Sequence, residues 1–176
     1  MKNILVTGAP RVGKTTLVRR VLLALKAEVG GFYTQELREG RKRVGFELIT
    51  LSGGRGVMAH EEIRRGPRVG KYGVDLRVLE GLGVGEVRRA VETCQLVVID
   101  EIGKMELYSS QFQEAVLCAL DSKIPVLATI GMGGSQFADL IRRRDDVELH
   151  ILEVENRDLL FGQILSRLGE ELSLGA

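Results

Sequence analysis

The chain has 176 residues, of which 44% are hydrophobic and 28% charged, and its formal net charge is +1. This length and composition predict a single globular domain over residues 1–176, with enough apolar side chains for a core. The near-neutral charge argues against a dedicated nucleic-acid-binding surface, and no apolar run approaches the ~20 residues that a membrane-spanning helix needs. We expect neither a secretory signal nor a disulfide, because Cys94 and Cys118 form no C-x-x-C pair and suit a reduced, cytoplasmic protein.

The first third of the chain combines a strand–loop–helix unit with hairpins. A short apolar strand over residues 2–7 and an amphipathic helix over residues 17–25 flank a glycine-containing loop. Three short strands with tight turns between them follow, at residues 32–37, 44–51 and 56–60. Their turns predict antiparallel hairpins, which we expect to extend one edge of the sheet.

The rest of the chain alternates between strand and helix patterns. Residues 66–73 are predicted to form a loop, and residues 75–94 a helix in two pieces that Gly81, Gly83 and Gly85 interrupt. Buried strands are then predicted at residues 96–100, 125–130 and 147–154, and helices at residues 111–120, 137–144 and 156–172. This alternation predicts an α/β fold, with a mostly parallel central sheet and helices on both of its faces.

The loop after the first strand carries the most specific motif of the chain. Residues 8–15 read Gly-Ala-Pro-Arg-Val-Gly-Lys-Thr, which matches the P-loop pattern G-x-x-x-x-G-K-[ST] between a strand and a helix. Its glycines let backbone N–H groups approach phosphate, while Lys14 is expected to reach the β- and γ-phosphates and Thr15 to ligate Mg²⁺. The predicted nucleotide-binding residues are Gly8, Ala9, Pro10, Arg11, Val12, Gly13, Lys14, Thr15 and Thr16.

The strand at residues 96–100 supplies the second half of a nucleotide site. It is a continuous apolar run that ends in Asp100, and such a run is typical of a central parallel strand. Its carboxyl end should lie beside the P-loop, in the Walker B arrangement, so we predict that Asp100 supports Mg²⁺ together with Thr15. Glu101 follows directly and is predicted to act as the general base that activates water. The alternative is that both carboxylates are simply a solvated strand end.

Two short patterns leave a GTPase-like interpretation open. Residues 100–103 also fit D-x-x-G, the γ-phosphate-sensing loop of GTPases, but the N-K-x-D motif that usually accompanies it is missing. The nearest segment, residues 156–159, reads Asn-Arg-Asp-Leu. Asn156 is therefore interpreted either as the N-cap of the last helix or as a residue near the nucleotide base.

With these residues in hand, the chain resembles the THEP1 family of nucleoside-triphosphatases, the cancer-related NTPase family. The most specific match is residues 98–107, Val-Ile-Asp-Glu-Ile-Gly-Lys-Met-Glu-Leu, and shorter matches lie at 31–34, 69–75, 141–144 and 155–157. The resemblance implies a RecA-like or kinase-like P-loop fold. It also implies slow, Mg²⁺-dependent hydrolysis of ATP, GTP and other nucleoside triphosphates to diphosphate and phosphate, with little base preference.

The same match draws attention to charged residues that the two motifs do not include. Lys104 is a candidate catalytic residue, because its ammonium could neutralise charge on the γ-phosphate, and Glu106 could hold Lys104 or a water. Arg142 and Arg144 are candidates for an arginine finger or a lid over the triphosphate, although such a run is often a solvated helix end, and a neighbouring subunit is an alternative source of the finger. Two other functions stay open, a nucleotide or nucleoside kinase with an unknown acceptor and a nucleotide-gated switch. The sequence leaves the oligomeric state open.

Overall fold

The computed structural model describes residues 3–174, which form one nine-stranded sheet with helices packed against it. The predicted strand start at residue 2 lies outside the described residues. The strands are β1 (Asn3–Thr7), β2 (Val29–Glu39), β3 (Lys42–Thr50), β4 (Arg55–His60), β5 (Arg68–Val69), β6 (Tyr72–Val74), β7 (Leu96–Ile102), β8 (Val126–Ile130) and β9 (Val147–Ile151). The α-helices are α1 (Lys14–Ala24), α2 (Leu76–Val78), α3 (Gly85–Thr93), α4 (Ser110–Asp121), α5 (Gln136–Arg142) and α6 (Arg157–Leu174). Within these residues, no helix is long and apolar enough to span a membrane.

Five parallel strands form the centre of the sheet, in the order β2-β7-β8-β1-β9. The strand that precedes the P-loop is therefore separated from β7 by β8. Because parallel strands all run the same way, the segments that follow β1, β7 and β8 emerge at one edge of the sheet, which we call the carboxyl edge. The P-loop and the carboxylates that end the apolar run of β7 meet at this edge.

The core has two apolar layers, one on each face of the sheet. Alternate residues of the parallel strands enter different layers, as the two-residue period of a strand requires. On one face, Ile4 and Val98 pack with α1 and α6, and on the other, Leu5 and Val97 pack with α3, α4 and α5. The predicted α/β architecture, with helices on both faces, is confirmed.

The hairpins extend the sheet beyond β2 as predicted. Strand β2 pairs in parallel with β7 and antiparallel with β3, and β3 pairs antiparallel with β4. The prediction of a loop over residues 66–73 was wrong in part, because β5 and β6 form a two-stranded antiparallel ribbon on the far side of β4. Their strands are only two and three residues long, too short for the sequence pattern to register, and Gly70 turns the chain with a φ of 59°.

The helical region after β6 also differs from its prediction. Helix α2, a π-helical segment over Leu79–Val84 and α3 follow one another without a break, although three glycines lie in this stretch. A Cβ on Gly83 would lie 3.1 Å from the Leu48 side chain, so this glycine allows the helix to pack closely on β3. Other differences concern element ends: β2 spans Val29–Glu39 instead of residues 32–37, α1 begins at Lys14 instead of residue 17, β7 continues to Ile102, α5 ends at Arg142, and β9 ends at Ile151. A short 3-10 helix over Glu106–Tyr108 was not predicted.

Candidate active site

The P-loop wraps from the end of β1 into the first turn of α1. Gly8 has a φ of 155°, and a Cβ at this position would lie 2.5 Å from the carbonyl oxygen of Leu152, so only glycine fits against the segment after β9. The loop closes through a hydrogen bond from the Val12 N–H to the Ala9 carbonyl at 3.2 Å. Helix α1 begins directly behind the loop, and its free N–H groups and dipole favour an anion there.

Lys14 is buried at the centre of this loop, with 9% of its surface exposed. Its Nζ donates hydrogen bonds to the carbonyl oxygens of Gly8, at 3.0 Å, and Ala9, at 3.5 Å. The same atom lies 3.8 Å from Glu101 Oε2. The ammonium is thus held by the loop that would surround a phosphate, and it faces the carboxylate that follows Asp100.

Asp100 is fully buried and receives hydrogen bonds from two hydroxyls. Thr15 Oγ1 donates to its Oδ2 at 2.7 Å, and Thr129 Oγ1 donates to its Oδ1 at 2.5 Å. Burial raises the pKa of Asp100 to about 6, although both hydroxyl donors lower it; the neighbouring Glu101 raises it further and Lys14 lowers it. The carboxylate is therefore fixed in position while its charge is only partly compensated.

Thr15 and Asp100 provide donors that suit Mg²⁺. A hydroxyl and a carboxylate are hard oxygen ligands, and Mg²⁺ at phosphate sites typically uses one or two protein oxygens, with phosphate oxygens and waters completing the octahedron. Within residues 3–174, no cluster of three or more His, Cys, Asp or Glu side chains could hold a metal. The donor pair at the P-loop fits a metal that is held largely by its substrate.

Glu101 and Glu106 lie on either side of Gly103. A Cβ on Gly103 would lie 2.9 Å from Glu101 Oε1 and 2.9 Å from Glu106 Oε2, so a side chain there would displace both carboxyls. Glu106 is buried, and burial raises its pKa to about 8, with the charges of Glu101 and Asp100 adding to the rise. At neutral pH Glu106 is therefore mainly a neutral carboxylic acid.

Lys104 projects from the same turn but is exposed. Its Cε would lie 3.3 Å from a Cβ on Gly133, in the segment after β8. Among the ion pairs of the described residues none involves Lys104, so Glu106 does not pair with this ammonium in the structure. The physical reason is that Glu106 turns inward beneath Gly103, whereas the lysine stem points to solvent.

The two arginines proposed as fingers occupy opposite edges of the sheet. Arg142 donates to the carbonyl oxygens of Gly131 and Gly133 and pairs with Asp139, so it holds the segment after β8. Arg144 pairs with Asp121 and Asp146. Asp146 bonds to the backbone of Asn3, where β1 begins, so Arg144 lies far from the P-loop of its own chain.

Two contacts at the site were not anticipated from the sequence. Thr129 completes the hydrogen bonding of Asp100, and its signal was a hydroxyl near the end of an otherwise apolar strand. Arg157, at the start of α6, donates from Nε to the Val12 carbonyl at 2.9 Å and so braces the P-loop. Asn156 accepts the first helical bond through its carbonyl, while its side chain bonds Glu153 and Ile151 and closes the preceding loop.

The sequence matches one known protein family over nearly its whole length. The family model described as "NTPase" matches residues 3–165. The nucleoside-triphosphatase THEP1 of Thermofilum pendens is 50% identical over 169 residues, covering 93% of each chain, and that of Thermotoga maritima is 47% identical over 166 residues, covering 94% of this chain and 95% of the relative.

Two solved structures share the fold over nearly the whole chain. The crystal structure of THEP1 from the hyperthermophile Aquifex aeolicus superimposes with a TM-score of 0.87 at 36% identity, covering 96% of this chain and 99% of that one. The solution structure of a human cancer-related nucleoside triphosphatase gives a TM-score of 0.81 at 39% identity, with 96% and 97% coverage. The resemblance drawn from the sequence motifs is confirmed.

Proposed function

Because this chain belongs to the THEP1 family of nucleoside-triphosphatases, we propose that it hydrolyses the β–γ bond of nucleoside triphosphates with Mg²⁺, releasing nucleoside diphosphate and phosphate. The observation that carries this proposal is the meeting of two pairs at the carboxyl edge. Lys14 Nζ lies 3.8 Å from a Glu101 oxygen, and Thr15 Oγ1 lies 2.7 Å from an Asp100 oxygen. The place where a γ-phosphate would lie is thus surrounded by the Lys14 ammonium, by the Thr15 and Asp100 oxygens that suit a metal ion, and by the Glu101 carboxylate.

The P-loop binds the triphosphate through its backbone and Lys14. Residues 8–16, except Pro10, supply N–H groups at and before the start of α1, where the helix dipole favours negative charge. Lys14 exchanges its bonds to the Gly8 and Ala9 carbonyls for bonds to the β- and γ-phosphate oxygens. Its charge then offsets the negative charge that accumulates as the β–γ bond breaks.

Thr15 and Asp100 would hold Mg²⁺, with the Thr15 hydroxyl as ligand and the Asp100 carboxylate orienting the water around the metal. The metal, when bound, neutralises charge on the β- and γ-phosphate oxygens. Thr129 contributes by fixing Asp100, because its hydroxyl donates to the second carboxylate oxygen. The prior pairing of both Asp100 oxygens keeps the carboxylate in one orientation.

Glu101 is the general base in this proposal. It accepts a proton from the attacking water as the water oxygen bonds to the γ-phosphorus. Glu106, neutral at pH 7 because its pKa is raised to about 8, adds no second negative charge behind the reacting phosphate. Lys104 is assigned a supporting catalytic role, in which its flexible, exposed ammonium approaches the γ-phosphate oxygens once the nucleotide is bound.

Broad use of ATP, GTP and other triphosphates follows from what these residues contact. Lys14, Thr15, Asp100 and Glu101 all address phosphate, metal or water, and none of these contacts distinguishes one base from another. We further propose that the protein acts as a single domain over residues 1–176 in the cytoplasm.

The proposal is tested with purified protein and ATP, GTP, CTP and UTP in separate reactions, each with Mg²⁺ and with a chelator. We expect equal amounts of diphosphate and phosphate, rates within about one order of magnitude among the four bases, and loss of activity on chelation that added Mg²⁺ restores. Release of pyrophosphate and monophosphate, or turnover that persists in the chelator, would contradict it.

A further inference from the structure

A cavity of about 440 Å³ opens next to the nucleotide site, and we call it the side cavity. It lies between the turn of the β5–β6 ribbon and residues 131–134, the Gly-Met-Gly-Gly segment that follows β8. Its volume is within the range of about 300–1,000 Å³ that is usual for small-molecule sites. Arg142 holds one wall in place by donating to the carbonyls of Gly131 and Gly133.

Two glycines line the side cavity next to Glu101. Gly103 and Gly131 both line the cavity, and a Cβ on either would lie 2.9 Å and 3.4 Å, respectively, from Glu101 Oε1. The other carboxylate oxygen, Oε2, faces Lys14 at 3.8 Å. Glu101 therefore stands between the P-loop and the cavity, with one oxygen directed toward each.

The cationic side chains of the cavity lack carboxylate partners. Arg68 donates to the carbonyl oxygens of Ile63, at 3.3 Å, and Lys71, at 2.6 Å, and these neutral acceptors leave its charge unbalanced. Lys104 makes no ion pair within residues 3–174. The nearby Glu106 is mainly neutral at pH 7, because burial raises its pKa to about 8. The Glu101 carboxylate also lies beside the cavity, but Lys14 faces it at 3.8 Å, so the two exposed cations Arg68 and Lys104 make the cavity favour an anionic ligand.

The cavity also has an apolar wall. Ile102, Leu107 and Ala138 line it on the side of the core, and the half-exposed ring of Tyr108 borders it. Ile102 and Ala138 are almost fully buried and form the base of this wall, and Leu107 and Tyr108 expose more of their side chains. A wall of this kind suits the carbon skeleton or ring of an organic anion better than a free inorganic ion.

The position of the cavity relative to the triphosphate suggests what such a ligand does. In phosphoryl transfer the attacking and leaving oxygens lie roughly in line on opposite sides of the phosphorus. The leaving diphosphate occupies the P-loop, so the attacking oxygen comes from the side of Glu101, where the cavity opens. A hydroxyl of a bound ligand would therefore compete with water for the same carboxylate.

We propose that the side cavity binds a small, hydroxyl-bearing organic anion that accepts the γ-phosphoryl group in place of water. The ligand hydroxyl gives its proton to Glu101, its oxygen bonds to the γ-phosphorus, and the bond from that phosphorus to the β–γ bridging oxygen breaks with its electron pair leaving on the nucleoside diphosphate. The products are a phosphate ester and the diphosphate. This inference rests on the proposed function, because the same Glu101 is the base in both reactions.

The test follows the fate of the labelled γ-phosphate of ATP with Mg²⁺ in the presence of candidate acceptors. The probes are the four ribonucleoside 5′-monophosphates, ribose 5-phosphate and glycerate, with the neutral ribonucleosides as controls for charge. We expect at least one anion to become labelled and the neutral probes not to. Calorimetry with the same anions, without ATP, measures binding separately from transfer.

Two variants connect the transfer to the cavity. Arg68→Ala should raise the KM of the labelled acceptor by about tenfold or more, as expected when a charge-assisted hydrogen bond is lost. Gly134→Leu, at a cavity-lining position where a Cβ meets no atom within 4 Å, should block transfer by filling the space. Both should leave phosphate release without acceptor within about twofold of the parent, since neither contacts the nucleotide machinery. Arg65→Ala, an exposed arginine outside the cavity lining, is the matched control.

The outcomes separate this inference from the proposed hydrolysis. If no probe binds or becomes labelled while phosphate release continues, the acceptor site is overturned and hydrolysis stands. If an acceptor is labelled but phosphate release without acceptor is absent, the side cavity is supported and hydrolysis is overturned. Transfer that Arg68→Ala and Gly134→Leu leave unchanged would also overturn the assignment to this cavity.

Discussion

The parallel strands begin at the edge of the sheet opposite the carboxyl edge, which we call the amino edge. There, Arg144 donates to Asp121 at 2.6 Å and to Asp146 at 2.7 Å, and the Asn3 side chain donates to Asp146 at 3.3 Å. At the carboxyl edge, a single buried ammonium, that of Lys14, faces Glu101 at 3.8 Å, and Asp100 is bonded only to hydroxyls. The first edge pairs its partly exposed and exposed charges directly with each other. The second brings like charges close together with little neutralisation.

The pKa values show the same contrast. Ion pairing with Arg144 lowers the pKa of Asp146 below its usual range, so that carboxyl is more stable as an anion in the folded protein. Burial raises the pKa of Asp100 to about 6 and that of Glu106 to about 8, so the charged form of each carboxyl is less favourable in the folded protein than in water. Groups that are perturbed in this direction and lie in one cleft are typical of functional sites. The amino edge therefore stabilises its charges by pairing them, whereas the carboxyl edge keeps carboxyls whose charged form is unfavourable, as expected of the nucleotide site that we propose there.

We expect the largest effect on activity from replacing Lys14, whose ammonium is buried at the carboxyl edge. Lys14→Ala should reduce nucleoside-triphosphatase activity below detection and weaken triphosphate binding, because no other buried cation replaces it among the described residues. Phosphate release and calorimetric binding measure both. Lys26→Ala, an exposed lysine just past α1, serves as the matched control. A folded Lys14→Ala protein with parental turnover would contradict the role of the P-loop.

Glu101→Gln tests the proton acceptor without changing the shape of the side chain. We expect kcat to fall by roughly 10²–10⁴-fold, the usual contribution of a general base, while nucleotide and Mg²⁺ binding persist. Single-turnover hydrolysis and calorimetry with a non-hydrolysable ATP analogue separate the two quantities. Glu92→Gln, on the exposed side of α3, controls for loss of a surface charge. Hydrolysis within a few-fold of the parent would remove Glu101 from the mechanism.

Asp100→Asn keeps a hydrogen-bonding side chain where the metal is expected but removes its charge. We expect the Mg²⁺ concentration for half-maximal rate to rise by about 10–100-fold, as when a group that orients a metal is lost. Titration of the rate with Mg²⁺ at saturating ATP measures the shift. Thr129→Val, which removes one hydroxyl donor to Asp100, should shift the same titration in the same direction by less. An unaltered Mg²⁺ dependence in Asp100→Asn would exclude this residue from metal support.

Much of the carboxyl edge could be predicted from sequence because its chemistry depends on local order along the chain. The P-loop is a contiguous motif, and an apolar run that ends in Asp100 and Glu101 indicates both a central strand and the edge at which it ends. The contact between Thr15 and Asp100 spans 85 residues, yet it follows from parallel strands whose carboxyl ends meet. The two core layers likewise follow from the continuous apolar runs of the central strands, which are buried on both faces.

The features that could not be predicted from the sequence are the directions of side chains and the presence of very short elements. Nothing in the order of residues shows that Glu106 turns inward and Lys104 outward, because both follow the same strand within a few residues. The β5–β6 ribbon is too short for periodicity, although it forms one side of the side cavity. Gly83 of the π-helical segment is interpreted as a break because the local pattern carries no sign that Leu48 of β3 packs closely against it.

The raised pKa of Glu106 can be tested through protein stability, without measuring turnover. Its unfolded carboxyl loses a proton above its ordinary pKa of 4.5, whereas the folded group keeps that proton up to about 8. The free energy of unfolding of the parent should therefore fall as pH rises between these values, by at most about 1.4 kcal/mol per pH unit. Glu106→Gln cannot titrate, so its stability should match the parent near pH 4.5 and exceed it near pH 8. Urea denaturation without Mg²⁺ or nucleotide measures this, and parallel curves for the two proteins would contradict it.

The smallest effect is expected at the amino edge, where charge removal should affect stability alone. Arg144→Ala removes both ion pairs, and because Asp121 and Asp146 are partly exposed, the loss in the free energy of unfolding at pH 7 should be only about 1 kcal/mol. The pKa of Asp146 is lowered in the folded protein, so this contribution is present above the ordinary carboxylate range and is lost as pH falls through the folded pKa of Asp146. The difference between parent and variant should accordingly shrink in acid, and its sign should be opposite to that for Glu106→Gln, because Arg144→Ala is less stable than the parent and Glu106→Gln more stable. Turnover and the Mg²⁺ titration should stay at parental values, because Arg144 lies at the other end of the sheet from the P-loop. A large loss of activity in a folded Arg144→Ala protein would show that the two edges are coupled, or that this arginine acts on a neighbouring copy of the chain.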